Sequence, residues 1–112
     1  MATLPVNTIV QTGLDTSSSY GAANSGGDEL PNTGREFVHI KNGGGSSINV
    51  TITSEATHEG LAVADPVIAI DAGDEAMIGP FKRGVYNNAN GRVAIAYSAV
   101  TSVTIAAFKL PE

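Results

Sequence analysis

EFVHIKNGGGSSINVTIT, residues 36–53, is the stretch whose reading decides the fold. Val38 and Ile40 point one way along the first run, and Phe37, His39 and Lys41 point the other. Beyond Asn42-Gly43-Gly44-Gly45, Ile48, Val50 and Ile52 alternate with Asn49, Thr51 and Thr53. A period of two is the spacing of a strand with unlike faces. Consecutive glycines offer the positive φ angles of a tight connection, so the stretch reads as an antiparallel hairpin.

Downstream, the same alternation recurs. Residues 54–66 are a turn-rich connection with a strand at Leu61 to Val63, and Val67 to Asp71 reads as the next strand, ended by Ala72-Gly73-Asp74. Ala76 to Ile78 and Phe81 follow, interrupted by Gly79-Pro80; proline there implies an edge or a bulge. Val85-Tyr86 leads into the turn cluster Asn87-Asn88-Ala89-Asn90-Gly91. Val93, Ile95 and Tyr97 then alternate with Ala94, Ala96 and Ser98, and Val103, Ile105 and Ala107 with Thr104, Ala106 and Phe108. Short strands punctuated by Gly, Asn and Asp predict an all-β fold, an antiparallel β-sandwich or barrel-like domain over residues 36–112. The expected core is Val38, Ile40, Ile48, Val50, Ile52, Ile68, Ile70, Val93, Ile95, Val103 and Ile105, one parity of each strand. Ala94, Ala96 and Ala106 suit either close packing of sheet on sheet or a smooth outer face for subunit contact, and burial is the commoner fate of small apolar residues.

Upstream, the composition shifts. Val6 to Val10 reads as a short strand, but residues 13–35, GLDTSSSYGAANSGGDELPNTGR, hold five glycines and several serines. A stretch this long and this poor in apolar residues reads as a loop or arm. It is either a mobile segment or an extension that drapes over a neighbouring protein. Residues 1–35 are therefore expected to form an N-terminal arm, with Leu4, Val6, Ile9, Leu14, Tyr20 and Leu30 as spaced apolar anchors for contact with a partner.

Composition restricts the chemistry. The chain has 112 residues and a mass of 11.4 kDa, the size of one domain. Its apolar fraction of 42% is enough for a core built mainly of Val, Ile and Ala, without Trp. Eleven acidic residues against six basic ones give a net charge of −5, and Lys82-Arg83 is the only adjacent basic pair, so nucleic acid is not an expected partner. The absence of cysteine removes disulfides, thiolate metal sites and a catalytic thiol. No segment reads as a secretory leader or as the roughly 20-residue apolar run of a membrane span.

No motif carries a recognisable reaction. His39 and His58 are the residues that titrate near neutrality, yet neither has convergent partners in the sequence. Asp71, Asp74 and Glu75 form an acidic group whose spacing does not match a calcium loop, so a solvated turn accounts for it. Ser17, Ser18 and Ser19 lack a nucleophile-elbow context, and Asn-Gly-Gly-Gly lacks the ending of a phosphate loop. Asn49-Val50-Thr51 matches a glycosylation acceptor but has no export signal beside it. The expectation is a protein that is not an enzyme, with no catalytic residue, cofactor or metal.

Three stretches, GDELPNTGREFVHIKNGG (27–44), GLAVADPVIAI (60–70) and IGPFKRGVYNNANGRVAIAYSAVTSVTIAAFKL (78–110), resemble small virion proteins of tailed bacteriophages, in particular capsid decoration, or cement, proteins. The resemblance is one of pattern: Asn-x-Gly-Arg-x-Phe before a strand, Asn-Gly-Gly after it, Gly-Pro-Phe followed by Tyr-Asn, and a Val-rich C-terminal hairpin. It implies a structural protein made in the host cytoplasm that binds the outer surface of the virion capsid. The major capsid protein and further copies of the chain, as a trimer on local threefold positions, are the implied partners. The six apolar anchors of residues 1–35 then become candidate capsid or subunit contacts. A neck or tail structural subunit is the alternative within the same class. A carbohydrate-binding β-module is the alternative outside it, and it would need exposed aromatics where this chain offers only Tyr20, Tyr86 and Tyr97.

Overall fold

A computed structural model describes residues 2–16 and 19–111. The chain begins with four short strands, β1 (Ala2–Thr3), β2 (Val6–Thr8), β3 (Gly21–Ala22) and β4 (Asp28–Pro31). It continues through β5 (Glu36–Asn42), β6 (Ile48–Ile52), β7 (Thr57–His58), β8 (Leu61–Ala62), β9 (Val67–Ile70) and β10 (Glu75–Ile78). One helical turn, α1 (Arg83–Tyr86), precedes β11 (Arg92–Tyr97) and β12 (Val103–Lys109). Two sheets pack face to face as an all-β sandwich. Sheet A has the order β1-β4-β11-β6-β9, and sheet B the order β10-β5-β12-β2, with β3 also on β12. The β7–β8 pair stands apart as a small hairpin.

The core follows from the alternation. Of the eleven residues expected there, ten are at most 4% exposed, and Ile68 is half-buried against them. Each such aliphatic side chain contributes roughly 1.5–3 kcal/mol through burial, before the entropy of ordering it is set against the gain. Leu4, Ala23, Leu30, Phe81 and Ala107 complete the layer.

The hairpin read from residues 36–53 is not formed. β5 belongs to sheet B and β6 to sheet A, so the glycine-rich segment carries the chain across the sandwich. The C-terminal pair behaves alike: β11 lies in sheet A and β12 in sheet B. None of Gly43, Gly44 and Gly45 has a positive φ. Glycine is required here for close approach instead. A Cβ on Gly43 would stand 3.0 Å from the Ser102 carbonyl oxygen, and one on Gly44 2.9 Å from that of Thr101. The Gly43 N–H donates to the Ser102 carbonyl at 2.9 Å, so the two crossing loops lie against each other.

Asn42 fastens this corner from inside. Its side-chain amide donates to the carbonyls of Ser46 (2.8 Å), Ile70 (3.0 Å) and Asp71 (3.3 Å), and its Oδ1 accepts from the Gly44 N–H at 3.1 Å. Asn32 does similar work at the β4–β5 corner. Its amide donates to the Phe81 carbonyl at 3.0 Å and to Asn87 Oδ1 at 2.7 Å, and the Asn87 amide donates back to the Asn32 carbonyl at 3.2 Å. Beside it the buried Glu36 carboxylate accepts from the Thr33 N–H (2.8 Å), the Thr33 hydroxyl (3.0 Å) and the Arg35 N–H (3.0 Å). Burial alone would raise the Glu36 pKa, but these donors outweigh it and the net direction is down.

The arm expected over residues 1–35 is also corrected, together with the boundary at residue 36. β1 adds in parallel to β4, β2 adds in parallel to β12, and β3 and β4 pair antiparallel with β12 and β11. β4 is an interior strand of sheet A. Leu30 is fully buried and Leu4 is buried, so both are core and neither is available to a partner. Val6 is half-buried against the same core. Two- and three-residue strands show no period. Parallel addition to an existing edge is carried by backbone groups that leave no side-chain signature, and β4 has Asp28 at its other inward position. That acid is buried and accepts from the Tyr97 hydroxyl at 2.7 Å. Burial, then the hydrogen bond and charge of Asp28, push the Tyr97 hydroxyl pKa far above its ordinary value.

Candidate interaction surface

The outer faces of the two sheets differ. On sheet A, Asn49, Thr51, Ala94 and Ala96 point outward and are half-buried or exposed, so the alanines do not pack between sheets as expected. On sheet B the outward positions are Phe37, His39 and Lys41 from β5, Ala106 and Phe108 from β12, and Glu75 and Met77 from β10. Ala106 and Phe108 are buried although they lie on the side away from the main core. The segment after β2 returns over this face and covers them.

Tyr20 is the fastening. Its hydroxyl is hydrogen-bonded to His39 Nδ1, and its ring meets Phe108 edge-on at 6.1 Å. Lys41 Nζ lies 4.0 Å from the centre of the same ring. Phe37 packs on Phe108 at 5.8 Å, and His39 Nε2 reaches Glu75 Oε1 at 2.9 Å. A Tyr–His–Glu sequence of contacts has the outline of a nucleophile with its base. The Tyr20 pKa, however, is raised, by burial first and by the Glu75 charge second, which keeps the phenol protonated. The three groups act as a latch that holds Tyr20 on the sheet, beside Ile9, Val10 and Leu14.

The latch leaves part of the face open. One groove of about 370 Å³ is lined by Ile9, Val10, Leu14, Tyr20, Phe37 and Met77, among others. A second, of about 360 Å³, is lined by Phe37, Met77, Ile78, Pro80 and Leu110, with Gly34 and Arg35 at its rim. Phe37 and Met77 belong to both, so the grooves form one apolar surface. Met77, Leu110 and Val10 are 69%, 52% and 46% exposed on it. Gly79 shapes its edge: a Cβ there would lie 2.7 Å from the Phe37 Cβ, at a φ of +136° that side chains avoid. A second apolar group, Leu61, Val63 and Val67, projects from the β7–β8 hairpin and the start of β9.

Of the six anchors expected to contact a partner, the structure brings Ile9, Leu14 and Tyr20 together on this surface, leaves Val6 half-buried, and places Leu4 and Leu30 in the core. Val10, Met77 and Leu110 were not foreseen. The parity of Glu75 and Met77 held the signal for one of them, since an outward position beside an acid carries a large apolar side chain. All three tyrosines are engaged within the protein, Tyr86 against Phe81 and Tyr97 with Asp28. Among the described residues no three acidic or histidine side chains are grouped to hold a metal, and no helix is long and apolar enough to cross a membrane. The Ser17 and Ser18 positions lie outside the described residues, as does the side chain of His58. No protein-family model, curated protein or solved structure matches the chain.

Proposed function

We propose that this chain is a structural virion protein that docks on the outer surface of a tailed-bacteriophage capsid and stabilises the shell. The observation that carries the reading is the open apolar surface of sheet B, where Met77, Leu110 and Val10 stand exposed on a rigid sandwich. Water-exposed apolar groups in one contiguous patch mark a site of protein contact. The major capsid protein is the partner that the sequence resemblance supplies. Binding only the assembled shell stabilises it by mass action, and many identical weak contacts over a lattice add avidity. Such a role asks for no catalytic group and no cofactor, and the protein acts as a homo-oligomer at the virion surface.

Co-sedimentation with undecorated heads of the encoding phage tests the reading. Wild-type protein should saturate the heads and raise their resistance to heat. Met77→Asp combined with Leu110→Asp should abolish binding while the circular dichroism spectrum stays that of the parent. Failure of the wild-type protein to bind overturns the reading, and full binding by the double variant moves the contact off sheet B.

A further inference from the structure

We propose that β10 is a homodimerisation strand: two copies join edge to edge, antiparallel, across a twofold axis at Met77. Three observations carry this. β10 is the terminal strand of sheet B and, among the described residues, pairs only with β5, so its outer row of backbone groups is open. Met77, at its centre, is the most exposed large apolar side chain on that sheet. The third observation is charge, and it selects the partner.

The segment around β10 is polar end to end. Asp71, Asp74 and Glu75 precede or open the strand and are exposed. Lys82 and Arg83 follow it and are exposed as well, although the chain as a whole carries −5. Antiparallel pairing of two identical segments sets the acidic end of each beside the basic end of the other. The surface is thus complementary to itself, which is the requirement for an isologous contact. Parallel pairing, or pairing with a uniformly acidic partner, would oppose like charges.

Register follows from the pleat. Directly opposed residues of an antiparallel pair point to the same side of the sheet. Glu75 and Met77 point outward, and Ala76 and Ile78 point toward the core. The axis must therefore fall on a residue, not between two. Centred on Met77, it sets Ala76 opposite the partner's Ile78, core side to core side. It also turns the acidic approach to each strand, Asp74 and Glu75, toward the basic stretch that follows its mate, and the two methionines meet. The result is a continuous sheet through both copies, with the two apolar outer surfaces joined into one. An isologous contact closes at two copies; a trimer would need two different surfaces. The proposal rests on the edge and its charges and not on the capsid reading, so a dimer that ignores capsids leaves it intact.

Sedimentation equilibrium of the full chain gives the first test, with twice the 11.4 kDa monomer mass expected. A monomer at about 100 μM, a concentration at which even weak dimers populate, overturns the proposal, as does a trimer. Because the chain has no cysteine, Met77→Cys introduces a single thiol, with its Cβ about 5 Å from its mate across an antiparallel pair. A short bismaleimide should then link most of the protein into dimers, while Ala96→Cys on the outer face of sheet A should not link. Equal linkage of the two overturns the proposed axis. Reversing Lys82 and Arg83 to Glu should weaken the dimer by about tenfold, the sum expected of a few exposed ion pairs. Adding Asp71→Lys and Asp74→Lys to that chain should restore it, and absence of rescue overturns the charge argument.

Discussion

Asn42 tests whether the sandwich corner, and not a hairpin turn, is what the glycine-rich segment builds. In a two-residue-type hairpin the side chain before the turn would be a surface group, and its loss would cost a few tenths of a kcal/mol. In this structure Asn42 is 2% exposed and joins three chain segments. Asn42→Ala removes the donor of the buried hydrogen bond to the Ile70 carbonyl, at about 1–3 kcal/mol. The bonds to Ser46 and Gly44 are partly exposed and add about 0.5–1 kcal/mol each. The expected loss is about 2–5 kcal/mol, a large part of the roughly 5–15 kcal/mol typical of a domain. Asn42→Asp keeps the shape but turns a carboxylate oxygen toward the Ile70 carbonyl, so it should cost at least as much at neutral pH. Urea unfolding followed by far-ultraviolet circular dichroism measures both. A midpoint for either variant within about 0.5 kcal/mol of wild type would refute the corner, because ordinary surface changes fall in that range.

Further outcomes follow from the same structure. Gly44→Ala should cost about 1–3 kcal/mol, since its Cβ would press on the Thr101 carbonyl, whereas Gly45→Ala, with nothing within 4 Å, should be close to neutral in the same urea assay. Ile95→Ala, emptying a site 1% exposed in the middle of sheet A, should cost about 2–5 kcal/mol, and a thermal melt like that of wild type would show the facing to be wrong. Glu36 has a folded-state pKa below its unfolded value, so its contribution is present above the unfolded pKa and is lost as pH falls through the folded one. Glu36→Gln should therefore be less stable than wild type at pH 7, and the gap should close on acidification; a gap independent of pH would remove the carboxylate from the account.

The sequence was legible where a strand is long enough to show a period and both partners are supplied by side-chain pattern. β5, β6, β11 and β12 have five to seven residues each, and their inward positions are the core. The connections were not legible. A glycine run between two period-two strands is compatible with a hairpin and with a crossing to the opposite sheet. What decides between them is pairing with strands far along the chain: β12 and β10 for β5, and β11 and β9 for β6. The N-terminal strands were hidden for a different reason. β1, β2 and β3 attach to edges through backbone hydrogen bonds, and in β4 only Leu30 shows the inward parity as an apolar residue.

The two outer faces carry the functional argument further than any single residue does. A sheet with one face in water places polar or small side chains there. Sheet A obeys this with Asn49, Thr51, Ala94 and Ala96. Sheet B, built by the same chain, places Phe37, Phe108 and Met77 on the corresponding side. Ile9, Leu14 and Tyr20, returning over this face, account for Phe108, and the Tyr20–His39–Glu75 latch holds them there. They do not account for Met77 and Leu110, which lie past the end of that cover and remain more than half exposed. Folding alone gains less from apolar side chains in those two places than from core ones, since more than half of each stays in water. A contact made outside the chain does gain from them. The proposed contact between copies and the proposed contact with a shell share this one continuous apolar surface, at the β10 edge and flanked by opposite charges.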